Sequence, residues 1–197
     1  MIVRPSRLAM ALAAALALVA CDSKPPVQRL PEISFADKAP IVLDVGQLEI
    51  VSEYQSPARS PNYEHLMPVS PEAAMIRWAK ERLKPMGRAG FARVVIKDAS
   101  VVKSDLRTDK GLTGMFKEEQ AERYDGKLDV EVQILDARHM QQANVTARAT
   151  RVRSLAEGVT VNERDKALHE ITELMITDID SQLDGLIRTY ESRWVMQ

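Results

Sequence analysis

The chain has one cysteine, three histidines, two Trp, four Tyr and three Phe in 197 residues. A lone cysteine has no partner for an internal disulfide framework. Few aromatics and a balanced charge, 27 Lys and Arg against 28 Asp and Glu, both argue against nucleic acid as a partner. The sequence also lacks a Gly-x-Ser-x-Gly nucleophile elbow and a phosphate-binding glycine loop. Beyond Ala20 no apolar run approaches the roughly 20 residues that a bilayer-spanning helix needs.

What is present begins at the N-terminus. Arg4 and Arg7 precede an unbroken apolar run from Leu8 to Ala20, too short to span a bilayer but of the form of a secretory signal. The run ends in Leu18-Val19-Ala20-Cys21, so the only cysteine stands where targeting sequence gives way to polar sequence. This pattern resembles the lipobox of bacterial lipoproteins. The resemblance implies cleavage before Cys21, a diacylglycerol thioether on its sulfur and an acyl group on its new amino terminus. Several acyl chains suit permanent attachment, because a buried methylene contributes about 0.8 kcal/mol and one chain alone binds marginally. The expected partner of this end is therefore a membrane, with the mature chain facing the periplasm. Asp22 resembles the inner-membrane retention signal of enteric bacteria, and an outer-membrane location stays open.

Residues 1–20 are thus read as a signal peptide, 21–39 as a proline-rich tether and 40–197 as one domain. Pro25, Pro26, Pro31 and Pro40 oppose helix and central strand in the tether, and such spacers extend at about 3.1 Å per residue. Val27, Leu30, Ile33 and Phe35 give part of it apolar side chains with which to dock.

A first strand is expected over Ile41 to Tyr54, with a bulge where the apolar phase slips at Gly46. Ser56 to Pro68 reads as a loop; its Tyr63, His65 and Met67 either line a binding surface or pack for the loop's own order. Ser70, Pro71 and Glu72 open a helix as N-cap, first helical residue and first-turn acid. Trp78 is expected to anchor this helix on a sheet, and Pro85 with Gly87 to end it. On its polar face, Arg77, Lys80 and Lys84 are read as solvated or as touching lipid headgroups. Phe91 to Lys103 is a second strand interrupted at Asp98-Ala99-Ser100.

Asp105 to Asp125 is too long for a simple hairpin loop. Leu112, Met115, Phe116 and Ala121 fall near helical spacing in it, which predicts a short amphipathic helix carried on the connection. Leu112, Met115 and Phe116 either form a partner-binding knob or cap the core, the usual fate of apolar residues so spaced. Lys127 to Asp136 alternates cleanly, as does Ala143 to Ser154 until Arg151 and Arg153 take the apolar parity. With Arg138 and Arg148 these two make a basic group, read either as an anion site or as partners of acidic strand residues such as Asp129 and Glu131. Thr160 to Glu163 has the form of a capping box. A stripe of Leu168, Ile171, Leu174, Met175, Ile179, Leu183, Leu186, Ile187 and Tyr190 follows, and Gly185 within it suggests close backbone packing.

Catalytic residues are not apparent. His65, His139 and His169 are scattered, and the sequence from His169 to Glu173 lacks the second histidine of a zinc-protease helix, so His169 and Glu173 read as solvated surface. No metal and no cofactor are expected. The order of elements predicts an α+β domain, a mainly antiparallel sheet of about four strands with two helices on one face. Joined to the lipobox, this layout resembles small Gram-negative envelope lipoproteins, among them the ABC-transport auxiliary lipoproteins and the lipopolysaccharide-assembly lipoprotein. The resemblance implies a non-catalytic, protein-binding or assembly component of an envelope complex. A lipid-binding carrier or auxiliary subunit of a lipid ABC transporter is the second reading, and an envelope hydrolase without a recognisable motif the third.

Overall fold

Leu128, Val130, Val132 and Ile134 alternate with polar neighbours, and this period builds the central strand of the molecule. In the computed structural model, residues 29–106 and 120–196 are described. The elements are β1 (Ile41–Leu43), β2 (Gln47–Ser52), α1 (Pro71–Arg82), β3 (Leu83–Pro85), β4 (Phe91–Asp98), β5 (Val101–Asp105), β6 (Gln120–Leu135), β7 (Gln141–Ala156) and α2 (Val161–Tyr190). β6 pairs antiparallel with β7 along its length. Its other edge takes β4 opposite Asp129 to Leu135 and β5 opposite Glu122 to Gly126, both antiparallel. β2 adds to β4 in parallel, which completes a mixed sheet of five strands; β1 and β3 form a separate parallel pair.

Both helices lie on one face of the five-stranded sheet, and the fold is α+β as expected. The β6 residues Leu128, Val130 and Val132 stand opposite Ala149, Ala147 and Val145 of β7. In two of these three pairs a larger side chain stands opposite an alanine, which leaves room for α2, and all six are 5 % exposed or less. Burying a Val, Leu or Ile side chain fully is worth about 1.5–3 kcal/mol, so this layer dominates the packing. The opposite face is polar and laced with ion pairs, among them Glu49–Arg93 at 2.8 Å, Asp98–Lys127 at 2.7 Å, Asp129–Arg148 at 2.5 Å and Glu131–Lys97.

Several expectations change. Gly46 is not a bulge in one strand but lies in the break between β1 and β2, which belong to different sheets; its N–H reaches Ala89 O and Gly90 O at 3.1 and 3.0 Å. The interruption at Asp98 to Ser100 separates β4 from β5, with Asp98 Oδ1 accepting from the Ser100 N–H at 3.0 Å. β6 starts at Gln120, earlier than Lys127, so Ala121 belongs to a strand and not to a helix. Gly126 sits within β6 where α2 comes close: a Cβ on it would lie 3.0 Å from Met175 Sδ. The proposed helix at Leu112, Met115 and Phe116 lies outside the described residues.

α1 starts as its sequence dictates, with Ser70 Oγ accepting from the Ala73 N–H at 3.2 Å, but it passes directly into β3 after Arg82, ahead of Pro85 and Gly87. α2 carries the full capping box: Thr160 Oγ1 accepts from the Glu163 N–H and Glu163 Oε2 from the Thr160 N–H, at 3.3 and 2.8 Å. Its stripe is narrower than the sequence implies, for Leu174 and Tyr190 are 44 % and 69 % exposed while Ile176 is buried. Gly185 faces open space, with nothing within 4 Å of a built Cβ, which removes the close-packing explanation.

Candidate functional site

The two helices meet along a seam. Val69 O accepts from Thr172 Oγ1 at 3.0 Å, Trp78 Nε1 donates to Asp180 Oδ1 at 2.7 Å, and Arg82 Nη2 meets Asp184 Oδ1 at 2.7 Å. These contacts advance in the same direction on both elements, so α1 and α2 run parallel. Trp78 therefore ties α1 to α2 through its indole N–H, while its ring is fully buried in the core shared with the sheet.

The segment from Arg29 to Pro40, which has no regular secondary structure, lies on this seam. Ile33 and Phe35 are each 5 % exposed. α1 grips the segment chiefly by its main chain: Glu81 Oε2 accepts from the Phe35 N–H at 2.5 Å, Arg77 donates to Ile33 O at 3.3 Å, and Arg82 donates to Ala39 O. Arg77 also pairs with Glu32, and Lys38 Nζ reaches Asp180 Oδ2 at 2.6 Å. Arg77 thus serves the segment, a use that neither reading of the helix's basic face anticipates; Lys84 Nζ donates to Lys80 O at 2.6 Å.

Asp180 is the centre of the seam. It is 2 % exposed and accepts from Trp78, Arg82 and Lys38 at once. Burial pushes its carboxyl up, but hydrogen bonds from Lys38, Trp78 and Arg82 outweigh that and hold it below its ordinary value. With both oxygens engaged, this group acts as a structural junction.

Towards the start of α2 the seam opens into a cavity of about 400 Å³, walled by Pro31, Ile33 and Val69 on one side and by Asn162, Asp165 and His169 on the other. His169 is not solvated surface: it is 4 % exposed, and neither ring nitrogen has a partner among the described residues. The sequence carries a signal for this, since His169 stands between Leu168 and Ile171 on the packing side; its spacing to Glu173 draws attention the other way, and Glu173 is exposed.

The other candidates resolve into local structure. In the 56–68 loop, Tyr63 packs edge-on to Tyr124 at 5.1 Å, Met67 is buried and His65 is exposed. Glu64 organises that loop: it is 3 % exposed and accepts from Tyr54, Ser56 and the Val101 N–H at 2.7, 2.5 and 3.1 Å. Burial opposes its ionisation, but the bonds from Ser56 and Tyr54 prevail and hold its carboxyl low. His139 stacks on Phe91 with ring centroids 4.1 Å apart. The basic group of strand β7 is dispersed: Arg148 pairs with Asp129 on the open face, Arg151 with Asp178 and Arg153 with Glu170 on the helix side. Glu131 takes Lys97 instead. β7's outer edge is partly guarded, because the Gln182 amide bonds both Arg148 N–H and Arg148 O, at 3.4 and 3.0 Å.

Cys21, Leu112, Met115 and Phe116 lie outside the described residues. Among the described residues there is no group of three or more His, Cys, Asp or Glu placed to hold a metal ion, and no helix is long and apolar enough to cross a membrane.

No family model and no curated protein matches the sequence. Among solved structures the chain is similar to a minor lipoprotein from Acinetobacter baumannii, with 16 % identity over 80 % of this chain and 99 % of that one and a TM-score of 0.41. It is also similar to a DUF330 protein from Xanthomonas campestris, at 10 % identity over 78 % and 88 % of the two chains and a TM-score of 0.40. A third is rare lipoprotein B from Shewanella oneidensis, at 15 % identity over 75 % and 98 % and a TM-score of 0.37. Likeness at this level transfers no role to the chain, so its function rests on its own residues.

Proposed function

We propose that the protein is a lipid-anchored envelope lipoprotein, attached through acylated Cys21 and facing the periplasm, that serves as a non-catalytic binding or assembly component of a membrane complex. The observation that carries the anchor is the position of the only cysteine directly after Leu18-Val19-Ala20 at the end of the apolar run. The binding role is supported by how three of the buried carboxylates are used. Asp180, Glu64 and Asp129 are committed to Trp78, Arg82, Tyr54, Ser56 and Arg148, which is scaffold chemistry rather than a poised acid and base. Inner-membrane residence, favoured by Asp22, is part of the proposal.

The carrier reading needs space between helices and sheet. That layer holds Leu128, Val130, Val132, Leu168, Met175 and Ile179, each 0 or 1 % exposed, so the side chains already fill it. Two experiments test the preferred reading. Cys21→Ser should move the protein from the membrane to the soluble fraction, and unchanged membrane association would refute lipid anchoring. Crosslinking in intact cells should join the full chain to a discrete envelope protein, and recovery of the free monomer alone would refute the binding role.

A further inference from the structure

Residues 29–40 have no regular secondary structure, yet they are built into the domain along their length. Ile33 and Phe35 are each 5 % exposed and belong to the hydrophobic core. Polar contacts flank both. Ser34 Oγ and the Phe35 N–H donate to Glu81 Oε2 at 3.1 and 2.5 Å, and Arg77 bonds Glu32 and Ile33 O. Further on, the Lys38 N–H donates to Phe35 O at 3.0 Å, its ammonium lies 5.3 Å from the Phe35 ring centre and bonds Asp180, and Arg82 donates to Ala39 O. Extended chain of this composition is expected to be a free spacer; here two apolar anchors and a row of main-chain bonds fix it.

The path of this segment moves the point at which the chain leaves the domain. Ile41 opens β1 directly after Ala39 and Pro40, beside Arg82 and the Asp180 level of α2. Leu30 and Pro31, by contrast, lie across the cavity from Asn162 and Asp165. Asp165 and Asp180 are about 22 Å apart along α2 at its rise per residue. The docked segment therefore carries the exit from the middle of the seam to the end where α2 begins. β7 runs the other way beside α2, with Arg153 on Glu170, Arg151 on Asp178 and Arg148 on Gln182, so the β6–β7 turn with Met140 lies at the far end. Docking also shortens the leash. Whatever path it takes, the chain from Cys21 to Arg29 can span at most about 29 Å, against about 68 Å from Cys21 to Pro40.

We propose that residues 29–40 are a strap that presents one end of the domain to the lipid bilayer: held on the α1–α2 seam, it keeps the Asn162 end near the headgroups and turns the β6–β7 end away. The seam is thus the holder of the chain's own tether. Ile33 and Phe35 anchor the strap, Arg77 and Glu81 grip it on α1, and Lys38 closes it onto Asp180. This role rests on the lipid anchoring at Cys21 proposed above and specifies how the anchored domain stands on its membrane.

The test uses the chain purified from membranes and added from detergent to vesicles of phosphatidylethanolamine and phosphatidylglycerol that carry a fluorescent acceptor lipid. Asn162→Cys or Met140→Cys, both at exposed positions, takes a thiol-reactive donor; acylated Cys21 does not. Energy transfer to the bilayer should be stronger from position 162 than from 140. Ile33→Asp with Phe35→Asp, which removes both anchors, should abolish that excess. Arg77→Glu with Glu81→Lys, changes on an exposed and a half-buried position of α1, should do the same and carries the comparison where circular dichroism finds the first pair unfolded. Equal transfer from 162 and 140 in the parent, or folded variants that keep the parent's excess at 162, would overturn the strap and leave the anchor standing. A parent chain that does not bind the vesicles would refute the anchor and the strap's role with it.

Discussion

Asp180 and Glu191 are carboxyl residues of the same helix and its cap, both buried, with opposite surroundings. Asp180 lies at the seam, 2 % exposed, with three donors on its two oxygens. Glu191 follows the last turn of α2, 0 % exposed, and neither carboxylate oxygen has a partner among the described residues. Burial pushes the Glu191 carboxyl up to about 7, and the carbonyl end of a helix also disfavours a negative charge. One buried acid is thus paired in full and the other is retained without a match. The difference teaches that burial raises an acid only where no donors are brought to it, and that enough donors overturn its effect.

The largest effect is expected from breaking the junction. Asp180→Ala leaves Arg82 with its Nε unpaired in a site where its side chain is 5 % exposed, and removing one partner of a buried pair typically costs about 3–5 kcal/mol. Urea unfolding measures this, and a loss below 1 kcal/mol would mean that the seam does not depend on Asp180.

Next comes the unmatched acid. Its folded value of about 7 exceeds the ordinary 4.5, so the folded state holds the proton more tightly. Full stability is present below pH 4.5 and is lost as pH rises through 7. Asp180, held low, acts in the opposite sense: its contribution is present above its ordinary value of 3.8 and is lost as pH falls through the still lower folded value. The stability of the domain should therefore peak near mild acidity. Glu191→Gln should abolish the decline on the alkaline side, with an advantage over the parent that grows by about 3 kcal/mol from pH 4.5 to pH 8. Unfolding curves at the two pH values decide it, and a parent protein equally stable at both would contradict the reading.

Smaller effects sharpen the contrast between the helix's satisfied start and its unsatisfied end. Thr160→Ala removes the N-cap and should cost about 1 kcal/mol, read as a lower melting temperature. Gly185→Ala lies between the junction and the cap and touches neither, since a built Cβ meets nothing within 4 Å; it should add up to about 1 kcal/mol, and a destabilised variant would show that α2 needs a flexible point there.

The regular elements are legible because local chemistry marks them: Ser70 and Pro71 at the start of α1, the capping box at the start of α2, and the period of two in β6 all correspond to what forms. The errors arise where a residue's role is set from a distance. Gly46 reads as a bulge, but it lies where the chain passes from one sheet to the other. Arg151 and Arg153 break the apolar parity of β7 because Asp178 and Glu170 of α2 receive them. The seam itself leaves only a faint trace in sequence, an Asp between Ile179 and Leu183 on an apolar stripe, together with a Trp and an Arg one turn apart on α1. His169 is hidden by the reverse effect: its spacing to Glu173 suggests a polar face, while Leu168 and Ile171 beside it mark the buried one.

Intact mass spectrometry of the protein extracted from membranes tests the central claim most directly. A lipid-anchored component predicts a mature chain that begins at Cys21 and exceeds its peptide mass by a diacylglyceryl group and an amide-linked acyl chain. A chain that retains Arg4 and Arg7, or one that begins at Cys21 with a free thiol, would contradict it.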